Sequence, residues 1–246
     1  MKGIFKIAVY SLFVLLSACD SEEAFDCVKK PGDIETKVIT EFPEFNDLVI
    51  HDDISLQIIE DESEYFELTY GKNLISKINF KLENDSLLLT NDNFCSWARD
   101  YQKPLLKWHT NKESIYINSQ TTGEIFNTDT LRKNLQIHTR EISNEIELFV
   151  SNNATVLSSS SISNFHISGN SNSMKIFSYF SDSRFELGNF EVNHISVLQR
   201  GFNDIIVHAK DSLIGSIENA GRVLYYGNPG VKMVVQNGGK LIKLEE

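Results

Sequence analysis

The chain has 246 residues, of which 41% are hydrophobic and 23% charged, with four prolines and thirteen glycines. These proportions exclude a disordered or collagen-like chain and allow one large domain or two small ones. The formal charge of −11, from 23 basic against 34 acidic residues, argues against nucleic acid or anionic lipid as a surface partner. Polyanions need a basic face.

Residues 1–18 read as a secretory signal. Lys2 and Lys6 form a charged start, and an apolar run from Ile7 to Leu16 follows. That run is shorter than the ~20 residues a spanning helix needs. Leu16, Ser17, Ala18 and Cys19 then match a bacterial lipobox, whose cysteine thiol takes a diacylglycerol after cleavage. An ordinary signal peptide with an incidental cysteine is the alternative. Cleavage removes two lysines and no acids, taking the charge from −11 to −13. The expected body is therefore an acidic domain held at a membrane by acyl chains on Cys19. Residues 19–38 are expected to be a tether. Asp20, Glu22 and Glu23 just after the anchor fit either an outer-membrane retention or surface-export signal, or a simple solvated tether. The expected location is the outer membrane, on its cell-surface or periplasmic face.

Two further cysteines, Cys27 and Cys95, admit one pairing in an oxidising envelope. A disulfide joining tether to domain and a pair of free buried thiols both remain open. The chain has no C-x-x-C, which excludes a zinc ribbon or thioredoxin-type motif.

From Asp33 onward the hydrophobic period is two. Short runs at 48–50, 54–58, 65–70, 78–82 and 87–89 read as strands, punctuated by Asp, Asn, Glu and Gly. Residues 83–86 read as a tight turn, and a short helix is allowed near Leu74 to Lys77. The second half repeats. Apolar triplets centred on Glu147, His166, Glu186, Ile206 and Leu224 recur every 18–20 residues, and a second set interleaves at Val156, Lys175, Ser196, Ile214 and Lys232. A unit of that length with two short strands cannot bury its own apolar edge. Stacking consecutive units at ~4.8 Å pairs their backbones and builds a continuous core. The spacing predicts an all-β chain and a parallel β-helix with 18–20-residue coils, with an antiparallel sandwich as its competitor. In that register Glu147, His166 and Glu186 point outward in one row.

The C-terminal segment Gly221 to Gly230, followed by Gly238, Gly239 and the strand to Ile242, resembles the closing signature of the family named putative auto-transporter adhesin, head GIN domain. The stretches Phe45 to Ile58, Gly71 to Ile78 and Asn91 to Arg99 are similar to lipoprotein-anchored members. The resemblance covers residues 39–246. It implies a right-handed parallel β-helix and a binding rather than a catalytic role. The family's Gly-Ser-Gly corners are mostly replaced here by Ser158 to Ser161 and by Ser168, Gly169 and Asn170.

Residue chemistry points the same way. The six histidines show no metal-ligand spacing, and the acidic stretches at Asp52 and at 60–64 lack the order of a calcium loop. Neither metal nor cofactor is expected. Carboxylates on one outer face, with Asp182, Glu186 and Asp204 near Arg200, leave open a polysaccharide lyase or hydrolase. No cluster combines His, Lys and Arg with them. Tyr179, Phe180, Phe190, Phe202, Tyr225 and Tyr226 are expected at corners or in the last full coil. Trp97 and Trp108 flank Arg99 in the least regular segment, and that loop is the candidate contact surface. The sequence reading is thus a non-catalytic, adhesin-like envelope lipoprotein that binds a glycan or surface protein. A β-helical polysaccharide enzyme and a periplasmic regulatory partner are the alternatives.

Overall fold

A computed structural model describes residue 27 and residues 29–93, 102–141 and 143–245. Most of its strands alternate buried and outward side chains, so one face supplies the core and the other meets solvent. The regular part begins with β10 (Asn134–Arg140) and β11 (Glu145–Ser160), and continues through β12 (Asn164–Ser178), β13 (Arg184–Gln199) and β14 (Asp204–Ile217). It ends with β15 (Arg222–Tyr226), β16 (Gly230–Val235) and β17 (Lys240–Lys243). All of these pair in parallel, making a β-solenoid.

The step between coils is visible in the register. Leu135 lies beside Thr155, Glu145 beside Asn164, Phe185 beside Ile205 and Ser212 beside Gly230. Bulges widen the step at Gly169 and Phe190 and narrow it at Glu191 and His208. Strands β11 to β14 each run through a bend, so their first halves stack in one column and their second halves in another. The inner row of the first column is Leu56, Ile125, Ile146, Phe165, Phe185, Ile205, Val223 and Leu241. The inner row of the second is Leu48, Ile117, Ile137, Leu157, Ile176, Val197, Gly215 and Met233. These two rows run the length of the core, which other inward side chains such as Leu148, Ile167, Leu187 and Val207 complete. Within it the rings of Phe165 and Phe185 stack at 4.6 Å with both residues buried.

The first half follows a less local plan. Strands β2 (Asp47–Asp52) and β3 (Ser55–Glu60) form a coil whose neighbours are far away in sequence. On one side lie β8 (Ser114–Thr121) and β9 (Ile125–Phe126), and on the other β6 (Ser86–Asn91) and β7 (Leu105–Thr110). Three antiparallel strands finish that end. They are β1 (Ile34–Ile39) on β4 (Tyr65–Gly71), β4 on β7, and β5 (Ile78–Glu83) on β6. A 3₁₀ turn at Ile75–Lys77 leads into β5. The β5–β6 hairpin turns through Asn84 and Asp85 at φ 49° and 64°, the left-handed pair that a two-residue hairpin requires.

Two sequence expectations change here. Residues 34–38, expected in the tether, belong to the sheet, because the alternating Ile34, Thr36 and Val38 let the segment add an edge strand to β4. The antiparallel pairing weighed only as a rival fold is present as the end of the solenoid.

The bend from the second column back to the first carries buried hydroxyls in the earlier coils and Gly201 and Gly221 in the later ones. Thr139, Ser159, Ser161, Ser163 and Ser183 hydrogen-bond to one another across successive coils at 2.6–3.1 Å. Of Ser158 to Ser161, read from sequence as a polar corner, Ser159 and Ser161 therefore belong to a satisfied internal network, while Ser158 bonds to His138 and Ser160 is exposed.

Two glycines are demanded by close approach. Gly169 (φ 108°) and Gly215 (φ 132°) sit where the carbonyls of Val150 and Val197 in the preceding coil would collide with a Cβ. Gly215→Ala combines that clash with an unfavourable backbone, and should cost about 1–3 kcal/mol. Thermal unfolding should fall by several degrees relative to Ser216→Ala, and an unchanged midpoint would contradict this geometry.

Candidate functional site

Outward positions stack as strictly as inward ones, so the first column presents a ladder on its solvent face. Phe126 lies beside Glu147, Glu147 beside His166, His166 beside Glu186, Glu186 beside Ile206 and Ile206 beside Leu224. The row of Glu147, His166 and Glu186 is the one the repeat predicts. His166 is half-exposed, with Nδ1 3.2 Å from Glu186 Oε2 and Nε2 3.5 Å from Glu145 Oε2. Its second carboxylate therefore comes from Glu145, two residues before the expected Glu147. Glu186 also receives the Arg184 guanidinium at 3.3 Å.

A second outward row runs beside the first. Phe149 pairs with Ser168, and His208 with Tyr226. Between them Gly188 leaves the floor open, since a Cβ there would press on the Tyr226 ring at 3.1 Å. The result is a groove of about 650 Å³ from Glu147 and Phe149 to His208 and Tyr226. A recess of about 600 Å³ continues it toward Glu124 and Phe126 and shares Glu147, Phe149 and His166. Apolar rings alternate with carboxylates and imidazoles along its length. Such a surface can stack on flat apolar faces while its carboxylates accept hydrogen bonds from hydroxyl or N–H donors.

The residues singled out in the sequence disperse. Cys19, Cys95, Trp97 and Arg99 lie outside the described residues. Cys27 is disulfide-bonded. Trp108 is not a contact residue: it is fully buried in β7 at 0% exposure. Its ring packs against Phe45 and Phe66, and its Nε1 donates to Glu64 Oε1 at 3.1 Å. An alternating strand turned it inward, whereas the sequence reading had placed it in an irregular loop.

The acidic stretch at 60–64 is also structural. Glu60 accepts the backbone N–H groups of Arg132 and Lys133, and Asp61 Oδ2 lies 3.0 Å from His109 Nδ1. That contact, before any other cause, holds the Asp61 carboxyl below the usual carboxylate range. Glu64 takes Lys112 at 3.4 Å. The carboxylates weighed for an enzyme are separated in the same way. Asp204 pairs with Arg222 at 2.5 Å, while Arg200 is held by Glu218 at 2.7 Å. Phe190 is buried, and Phe180 and Phe202 are exposed at corners. Only Tyr226 of that aromatic set lines the groove. Phe149 also lines it and Phe126 its adjoining recess, and both were missed by the sequence reading.

The protein is thus a β-solenoid with a lateral groove along one column. The chain belongs to the family Putative auto-transporter adhesin, head GIN domain, whose model matches residues 44–229. No curated protein matches the sequence. Among solved structures, one described as a putative adhesin from Bacteroides fragilis is similar at a TM-score of 0.73 and 15% identity, covering 86% of this chain and 97% of that one. A putative lipid binding protein from Parabacteroides distasonis follows at a TM-score of 0.60 and 12% identity, covering 87% and 98%. A putative adhesin from Parabacteroides merdae has a TM-score of 0.53 at 16% identity, covering 87% and 97%. At these identities the likeness is one of fold.

On the second column His138 is half-buried, with Nδ1 2.5 Å from Ser158 Oγ and Nε2 3.3 Å from Arg140 Nε and Nη2. Burial, and then the Arg140 charge, push its pKa below the ordinary 6.5. The unfolded chain then takes up this proton at higher pH than the folded one. The side chain thus adds stability above about pH 6.5 that is lost as pH falls below it. An NMR titration should place the His138 midpoint below 6.5, and Arg140→Gln should move that midpoint upward. A ring already protonated at pH 6.5 would refute the assignment.

Proposed function

We propose that this protein is a non-catalytic envelope lipoprotein, anchored through Cys19, whose solenoid displays the lateral groove as an adhesin-like binding face for a glycan or surface protein. The observation that carries the reading is the continuous outward ladder from Phe126 to Ile206, which lines the groove and its adjoining recess over five rungs. At ~4.8 Å per coil that ladder is about 19 Å long, enough to meet several units of an extended ligand. Family membership supports a role in adhesion at the cell envelope. The non-catalytic part is supported by the dispersal of Asp204 and Arg200 into separate ion pairs, with Arg222 and Glu218 respectively. Cys95 is the proposed partner of Cys27, which would tie the start of the domain to the loop carrying Trp97 and Arg99.

Lipid attachment has a direct test. Metabolic labelling with a radioactive fatty acid should mark the wild-type chain and place it in the membrane fraction, and Cys19→Ser should abolish both. Label retained on Cys19→Ser would overturn the anchor.

Binding is tested by comparing the wild-type chain with Phe149→Ala/Glu186→Gln on immobilised surface glycans and matrix proteins. Wild type should be captured, and the double variant should bind at least tenfold more weakly. Each truncation removes an aromatic or charged contact worth about 1–3 kcal/mol. Capture of neither, or equal capture of both, sinks the groove as the binding face.

A further inference from the structure

The two columns differ in chemistry on their outer faces. The groove on the first is lined by Glu145, Glu147 and Glu186. On the second, Val49 lies beside Asn118, Asn118 beside His138, and His51 beside Gln120. A recess of about 220 Å³ here is lined by Val49, Asn118, Ser119, Gln120, His138 and Arg140. No carboxylate lines this recess, in a chain whose formal charge is −11. Glu141, next in sequence, leaves the strand at a φ of 64°.

The donors here are uncommitted and held in place. Arg140 forms no ion pair among the described residues, and its protein contacts at this face are the two N–H groups resting on His138 Nε2. An imidazole nitrogen that accepts from a guanidinium must carry its lone pair there, so the ring proton sits on Nδ1 and points to Ser158 Oγ at 2.5 Å. That chain of contacts fixes the guanidinium plane and leaves its remaining N–H groups for a ligand. The side-chain amides of Asn118 and Gln120 make no hydrogen bond to the protein among the described residues. One guanidinium and two amides thus converge on a small concave space. A planar anion suits the guanidinium fork, and the amide groups can serve both donors and acceptors of neighbouring hydroxyls.

We propose that this recess is a binding site for the carboxylate of an acidic sugar, with Arg140 holding the carboxylate and Asn118 and Gln120 the adjoining hydroxyls. The inference rests on the reading above only in taking a glycan as the class of ligand. Its volume is that of about one sugar ring, so a single uronate residue fills it. The recess lies on the opposite column from the groove, and an acidic glycan would avoid the carboxylate-rich groove through like-charge repulsion.

The probe is a galacturonate trisaccharide titrated calorimetrically into the full chain, with the neutral galactose trisaccharide as control. Wild type should bind the acidic sugar, and binding should weaken as salt is raised. Arg140→Gln should bind about tenfold or more weakly, the loss expected for a charge-assisted pair. Gln120→Ala should weaken binding by a smaller factor, and circular dichroism should show both variants folded. The groove variant Phe149→Ala/Glu186→Gln should bind the acidic sugar unchanged, so failure of the groove reading leaves this result standing. Absence of binding, equal binding of the neutral sugar, or unchanged binding by folded Arg140→Gln would each overturn the site.

Discussion

Parallel pairing of each coil with the next, in register, is the constraint on which this molecule turns. Once Phe165 must lie on Phe185 and His166 on Glu186, every side chain acquires a neighbour about 4.8 Å above and below it. On the inner faces this yields unbroken aliphatic and aromatic rows that exclude water. On the outer faces it forces charges to alternate or pair, since like charges directly opposite repel. The pairs Asp204–Arg222, Arg200–Glu218, Glu191–Lys210 and Glu186–His166 all join adjacent coils. The Arg200 contact holds the Glu218 carboxyl below its usual range. These exposed pairs secure register more than stability, because each is worth little on its own in water.

A stack of coils also needs an end. A solenoid that simply stopped would expose its core and an edge open to further strand pairing. At the N-terminal side the problem is met by reversing strand direction: β4 turns antiparallel on β7, and β5 on β6. An aromatic cluster of Phe42, Phe45, Phe66, Phe80 and Trp108 fills the space beneath, with ring centroids 4.9–6.2 Å apart. The Trp108 indole is thereby committed to the core. Its one polar atom is satisfied by Glu64, which also meets Thr110 and Lys112. Conserving burial at this end accounts for the acidic turn at 60–64 without any ligand.

The scaffold matters to function through rigidity. Side chains on paired strands lose little further freedom when a ligand arrives, so a groove built from ladder positions is preorganised. The same stacking separates two chemistries on one body. Carboxylates, imidazoles and rings share the first column, while a guanidinium and free amides gather on the second. Each surface is a consequence of which residues the repeat places at equivalent outward positions, not of a specialised loop.

What the sequence by itself determined is local and periodic. Alternation with period two made the chain all-β, and the 18–20-residue repeat after Ile146 revealed a stacked architecture together with the row of Glu147, His166 and Glu186. The hairpin at 83–86 and the short helical turn before Ile78 were legible too, because turn chemistry is local. The order of coils in the first half was decided only by tertiary structure. Strand β2 pairs with residues 39 and 69 positions away, as Asp47 lies beside Ser86 and Tyr116, and no spacing announces such a partner. The same limit explains Trp108, whose direction depended on a strand pairing with β3 and β4. It also explains the groove and the Arg140 recess, where residues eighteen or more apart meet because coils stack. A periodic sequence specifies its nearest-neighbour contacts by repetition, but a contact across an insertion is chosen by packing alone.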